Sequence, residues 1–422
     1  MTMHFDTLET RDPALRERDL FQRLPAQVAH AMAEAPAFAR ILAGIDPAAV
    51  DSRSALAQLP VTRKSSLLEL QQASRPFGGF AAAGWHGHRN RAKRVFASPG
   101  PLYEPETARP DYWRLARALV AAGFGAGDLV HNTFAYHFTP AGSMIESAAA
   151  ALGCTVFPAG TGQTEMQVQA IAELRPDGYV GTPSFLKIIL EKADETGADV
   201  SSLVKALVSG EAFPAALRDA LAARGITGYQ AYATADLGCI AYESDARSGL
   251  IVDEGVIVEI VRPGTVDPVA PGQVGEVVVT TFNPDYPLIR FGTGDLSAVM
   301  PESMTSPSPC GRTNMRLKGW LGRADQTTKV KGLFVHPSQV ADIVRRHSPI
   351  VRARLVVDNP DGNDRMTLHC EMEEGDAQLP ASLIEAIRET IREVTKLRGE
   401  VARAVPGALP NDGKVIDDVR KY

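Results

Sequence analysis

Apolar residues recur at helical spacing in the first part of the chain. The run LFQRLPAQVAHAMAEAPAFARILAGI (20–45) predicts helix, interrupted at Pro25 and Pro36. LPVTRKSSLLELQQ (59–72) predicts another helix, with Thr62 as its N-cap. Residues 76–110 are rich in Gly, Pro and Arg and read as loop and strand. A different rhythm begins at 111. DYWRLARALVAAGFGAGD is patterned as an amphipathic helix, DLVHNTFAY as a short strand, SMIESAAAALGC as a helix and TVFPAG as a strand. TEMQVQAIAELRPD then reads as helix, GYVGTPS as strand and turn, SFLKIILEKADETG as helix, ALVSGE as strand, PAALRDALAARG as helix and ITGYQAYA as strand. Strand and helix alternating at this spacing predict a parallel α/β sheet. Ligands on such sheets sit at the carboxyl ends of the strands, so the loops there carry the most weight.

From about residue 250 the pattern turns to β. GLIVDEGVIVEIV, GQVGEVVVTTF and PLIRFGTGD run apolar or alternate between Gly and Pro turns. After the polar GRADQ the pattern is that of a small α+β unit with two helices, SQVADIVRRH and a longer one near LIEAIRETIREVTKL. The predicted fold class is therefore α/β. A large domain, 1–324, would combine parallel-sheet and β-rich subdomains. A small, mobile α+β domain, 325–422, would follow.

Composition narrows the function classes. The 422 residues carry a net charge of −6, which argues against general nucleic-acid binding. No stretch approaches the ~20 apolar residues that span a bilayer, so a membrane role is not expected. The N-terminus lacks the apolar core of a secretory signal. The 4 cysteines form no CxxC pair, which points to a reducing cytoplasm rather than a disulfide scaffold. Gly (36) and Pro (29) cluster in short motifs, as in a site built from turns.

Three of those motifs, in order, carry a resemblance: PLIRFGTGDLS (287–297), LGRADQTTKVKGLFVHPSQV (321–340) and GALPNDGKVIDDVRK (407–421). With them the chain resembles the phenylacetate–CoA ligases, within the adenylate-forming superfamily of acyl-CoA synthetases. The similarity runs from about LPVTRK to the C-terminus. It implies ATP, Mg²⁺ and coenzyme A as reaction partners, with a small carboxylic acid as substrate. Relatives are often dimers, which leaves a homodimer open.

The resemblance also implies roles. Asp295, at the end of a strand after GTG, would accept hydrogen bonds from the ribose diol. Arg323 would contact ribose or phosphate. Asp325 matches the hinge about which the small domain turns between adenylation and thioester formation. Lys414, in PNDGKVID, would neutralise charge on the reacting carboxylate and α-phosphate. Ser209, Gly210, Glu211 and Ala212 match the adenine-proximal loop. YATAD (232–236) resembles the family's Tyr-Gly-x-Ser/Thr-Glu signature: Tyr232 would stack on adenine beside Ala233, and Asp236 would take the place of a Glu that holds Mg²⁺. Tyr136, His137 and Phe138, after a strand, suit an aryl acyl pocket.

Two segments depart from the family. FASPGPLYEPE (96–106) stands where relatives have a Ser/Thr/Gly-rich phosphate loop ending in Gly-Lys-Pro. Only Ser98 and Gly100 match it. Pro99, Pro101 and Pro105 remove N–H donors, Glu104 and Glu106 add negative charge, and no Lys follows. The zinc site of some relatives is also reduced: Ser244, Ile251 and Ser308 replace ligands and only Cys310 remains, so no zinc is expected. Three readings stay open on sequence alone: an acid–CoA ligase, a nucleotide- or acyl-binding pseudoenzyme, and an adenylyl transferase to a different acceptor.

Overall fold

The computed structural model describes residues 3–85, 90–98, 101–331, 333–360, 364–372, 380–410 and 414–420. The chain forms two compact units. One comprises Met1–Thr293 with Ser297–Trp320, and the other Gly294–Leu296 with Leu321–Tyr422.

The first unit is built on an eight-stranded sheet. From one edge, its strands are Arg316–Leu317, Leu250–Val252, Gly238–Tyr242, Thr227–Thr234, Lys205–Val208, Gly178–Gly181, Leu129–Asn132 and Thr155–Pro158. The last five are parallel to one another, and the first three extend the sheet antiparallel. The α/β alternation predicted from residue 111 is thus what folds. Helices Ala141–Leu152, Thr164–Leu174, Pro183–Thr196 and Ala215–Ala223 connect the parallel strands. Val130, Tyr179, Val180, Ala206, Leu207 and Val208 are buried, as strands covered on both faces require. The segment patterned as one helix from 111 is helical only at Ala116–Ala121. Asp111 Oδ1 accepts from the N–H groups of Leu115 and Ala116, at the point where the helix begins.

A second sheet orders Thr62–Arg63, Phe291–Ser297, Gly275–Thr281 and Val256–Val261. Two expectations change here. The helix Pro13–Glu34 runs straight through Pro25. An internal proline costs about 3 kcal/mol, but Leu20, Phe21, Leu24, Val28 and Ala31 on this helix are buried in the core, each large side chain contributing about 1.5–3 kcal/mol. Pro36 instead occupies the first turn of the next helix, Pro36–Ile41. Thr62 is not a cap either: it pairs with Phe291 as strand, and the helix starts at Lys64, so Lys64–Ala73 has no side-chain cap. Arg94–Ser98 and Leu102–Glu106 form an antiparallel hairpin.

The second unit has a four-stranded sheet ordered Glu400–Ala404, Arg365–Met372, Ile350–Asp358, Ile416–Asp418, with helices Pro337–Arg346 and Ala381–Thr395. Ile343, Leu355, Leu368, Ile387 and Ile391 form its core.

Candidate active site

A cavity of about 160 Å³ opens at the carboxyl ends of the parallel strands. Strand ends Val180, Leu207 and Ala231 supply its floor. Phe134 and Thr139–Ala141 come from the loop after Asn132, Met144 and Ile145 from the following helix, and Ser209 and Gly210 from the loop after Val208. Ala233, Thr234 and Ala235 form another wall, and Ser98 enters from the hairpin. No charged side chain lines it among the described residues. The register between Thr227–Thr234 and Gly238–Tyr242 shifts between Tyr232 and Ala233, a bulge that re-aims the residues after it.

Of the residues singled out from sequence, Ser209, Gly210 and Ala233 meet at this cavity. Ser209 Oγ donates to the Ala231 carbonyl at 2.8 Å, tying the loop to the neighbouring strand. Glu211 and Ala212 are exposed beside it. Tyr232 is half-buried, packs against the apolar core, and its hydroxyl is 3.3 Å from Thr293 Oγ1. Tyr136, His137 and Phe138 do not line the cavity. Asn132 Nδ2 donates to the Tyr136 hydroxyl at 2.7 Å, and His137 and Phe138 are exposed, Phe138 by 76%. Phe134 is the aromatic that the loop turns inward.

Asp295 and Arg323 belong to the second unit and pair there, Arg323 Nη1 donating to Asp295 Oδ1 at 3.1 Å. Gly294, between them and Thr293, has φ +76, and a Cβ on it would lie 2.6 Å from the Arg323 guanidinium. The positive φ favours glycine at this position. Asp325 lies in the short turn Ala324–Gln326; its side chain is outside the described part. Gln326 Oε1 accepts from the N–H of Val415, so the residue after Lys414 is tied to that turn. Lys414 itself is exposed, its Nζ 3.8 Å from Asp417 Oδ1. Residues 411–413 of the same motif, and Pro99 and Gly100 of the other, lie outside the described residues.

One residue with a place near the cavity, Lys64, had no signal in the sequence pattern. Lys64 Nζ donates to Asp236 Oδ2 at 2.6 Å, and the Asp236 side chain has no exposure. Beside them, Glu104 is fully buried and accepts from Ser98 Oγ at 2.6 Å. Burial, and after it the neighbouring Asp236 carboxylate, push the Glu104 carboxyl up to about 8. Glu104 Oε2 and Asp236 Oδ1 are sealed from solvent without a hydrogen-bond partner. Gln71, on the same helix as Lys64, clamps the strand that carries Glu104. Its amide donates to the Tyr103 carbonyl at 2.9 Å and accepts from the Tyr103 N–H at 2.8 Å. Glu106 faces inward as well, held by Arg94, Trp113 Nε1 and Ser143 Oγ. Both glutamates are thus held by protein side chains.

Residues 111–283 match the family model for AMP-binding enzymes. The phenylacetate–coenzyme A ligase of Thermus thermophilus is 30% identical over 95% of this chain and 96% of its own. This chain belongs to the phenylacetate–coenzyme A ligase family. The Aromatoleum evansii member is also 30% identical, over 83% of this chain and 80% of its own. The fold is shared with a 2-hydroxyisobutyryl-CoA ligase, solved in an open conformation with its acyl-adenylate and CoA, at a TM-score of 0.83 and 24% identity over 97% of this chain and 93% of that one.

Membership in an adenylate-forming family raises the question of Mg²⁺ at Asp236. Magnesium needs near-octahedral oxygen ligation with open positions. At Asp236 one oxygen is matched by an ammonium and the other is sealed from solvent. These residues do not fit a resident divalent cation. At the reduced zinc position, Ser244 and Ser308 each bring a hydroxyl to 3.2 Å from Cys310 Sγ. Two hydroxyls and a thiol are a poor donor set for zinc. No group of three or more His, Cys, Asp or Glu is arranged for a metal among the described residues, nor is any helix long and apolar enough to cross a membrane.

Proposed function

We propose that this chain joins a small apolar carboxylic acid, aryl or alkyl, to coenzyme A at the expense of ATP. A carboxylate oxygen attacks the α-phosphorus and pyrophosphate leaves. The coenzyme A sulfur then attacks the acyl carbonyl carbon, its proton passes to solvent, and AMP leaves. The observation that carries the reading is the uncharged cavity at the carboxyl edge of the sheet, in a chain of this family. An acyl group buried against Met144, Ile145, Val180 and Leu207 gains about 25 cal/mol per Å² of apolar surface. The loop 209–212 and Tyr232 suit the adenine, Asp295 and Arg323 the ribose and phosphate, and Lys414 the charge that develops on adenylation. A turn of the small domain at Asp325 would serve the second half-reaction. Magnesium enters this reading as the counter-ion of ATP.

A cytoplasmic setting accompanies the reading, supported by four unpaired thiols. A homodimer belongs to the same proposal. The test is a panel of aryl and alkyl acids with ATP, Mg²⁺ and coenzyme A, reading AMP and thioester. At least one acid should give both in equal amounts. Tight AMP binding with no AMP release from any acid would replace the ligase by a binding protein.

A further inference from the structure

The cluster behind the cavity wall has a charge arrangement of its own. Asp236 follows Ala233–Ala235, which line the cavity, and Ser98, another lining residue, donates to Glu104. A buried carboxylate therefore backs the ligand wall, and a buried charge requires a partner. That partner is Lys64, which arrives from 172 positions earlier in the sequence. Its helix is fixed to the Glu104 strand by the two Gln71 hydrogen bonds.

We propose that Lys64 is the resident cation of this site: its ammonium occupies the Asp236 carboxylate in place of a divalent metal, and the nucleotide of an acyl-adenylate whose acyl group fills the adjoining cavity binds without one. Lys64 is a positioning residue that acts through Asp236. The ammonium brings one positive charge and directed N–H donors, where a divalent ion would bring two charges and demand several oxygens. Its adenylate part and the choice of AMP as probe rest on the proposed function; the Lys64–Asp236 part does not.

The test has two arms on the full chain. In the first, Mn²⁺ is titrated and followed by electron paramagnetic resonance. Wild type should show no stoichiometric site, whereas Lys64→Ala should gain one per chain and Lys64→Ala/Asp236→Asn should lose it again. In the second, AMP affinity is measured by calorimetry in Mg²⁺ and in EDTA. Wild type should agree within about twofold between the two, and Lys64→Ala should lose at least about tenfold when Mg²⁺ is removed. A stoichiometric Mn²⁺ site in wild type that Asp236→Asn abolishes overturns the proposal, as does an EDTA-sensitive wild-type affinity. Should Lys64→Ala fail to fold, wild type and Asp236→Asn still decide: the absence of Mn²⁺ binding by both supports it. AMP binding to wild type in neither condition would count against the adenylate reading and leave the Mn²⁺ arm to judge Lys64.

Discussion

Arg323 and Asp295 are joined twice, by the 3.1 Å contact between guanidinium and carboxylate and by a backbone bridge between the same two residues. The carboxylate is thereby held in place. Asp295→Ala removes a charge-assisted acceptor worth about 1.5–3 kcal/mol. AMP affinity should fall by roughly 10- to 150-fold in calorimetry. A change of less than about twofold would remove Asp295 from the nucleotide site.

Lys414 is expected to act on one half-reaction only. Lys414→Ala should slow adenylation by ATP, read as pyrophosphate release, by about 10²–10³-fold, the range for loss of a charge-stabilising group. Thioester formation from a preformed acyl-adenylate and coenzyme A should be within about threefold of wild type, too small an energy for a lost catalytic contact. Equal losses in both assays would contradict the assignment.

The cavity should set the acid by size. Ala141→Phe adds a ring to its lining. kcat/KM for an accepted aryl acid should drop at least about tenfold, since overpacking costs about 1–3 kcal/mol, while AMP affinity stays as in wild type. An unchanged acid preference would place the acyl group elsewhere.

Glu104 predicts a pH dependence of stability. Its folded carboxyl titrates near 8 against an ordinary 4.5, so the unfolded chain gives up the proton first. Stability from the neutral form is complete below about 4.5 and is lost as pH rises through 8. Glu104→Gln keeps an acceptor for Ser98 and removes the titration. Relative to wild type, its unfolding free energy should therefore rise with pH between those limits, by on the order of 1 kcal/mol or more, and level off above. Parallel pH profiles for the two proteins in denaturant melts would refute the buried-acid account.

Much of the architecture was legible because its strands are covered on both faces. Their short runs, such as 178–181 and 206–208, show no polar alternation, and helices of amphipathic pattern separate them. Proline misled where packing was strong: five buried residues hold the helix together across Pro25. The site was legible in its loops and less so in its directions. Sequence put the pocket aromatics at 136–138, whereas in the loop after Asn132 it is Phe134 that turns in and Phe138 that turns out. Glu104 reads in sequence as a charge facing phosphate, whereas the strand pairing turns it inward to Ser98. Lys64 carried no signal at all, because its meaning depends on a partner 172 residues away.

The Gln71 clamp bears on what counts as the smallest working piece of this protein. The family match covers 111–283, and an excised fragment of that span would keep most of the cavity wall. It would lack Ser98, Glu104 and the helix that brings Lys64, so Asp236 would stand in the fragment as an uncompensated charge. Modularity here does not follow the recognisable segment: residues ahead of it supply Lys64, Ser98 and Glu104 to the binding module.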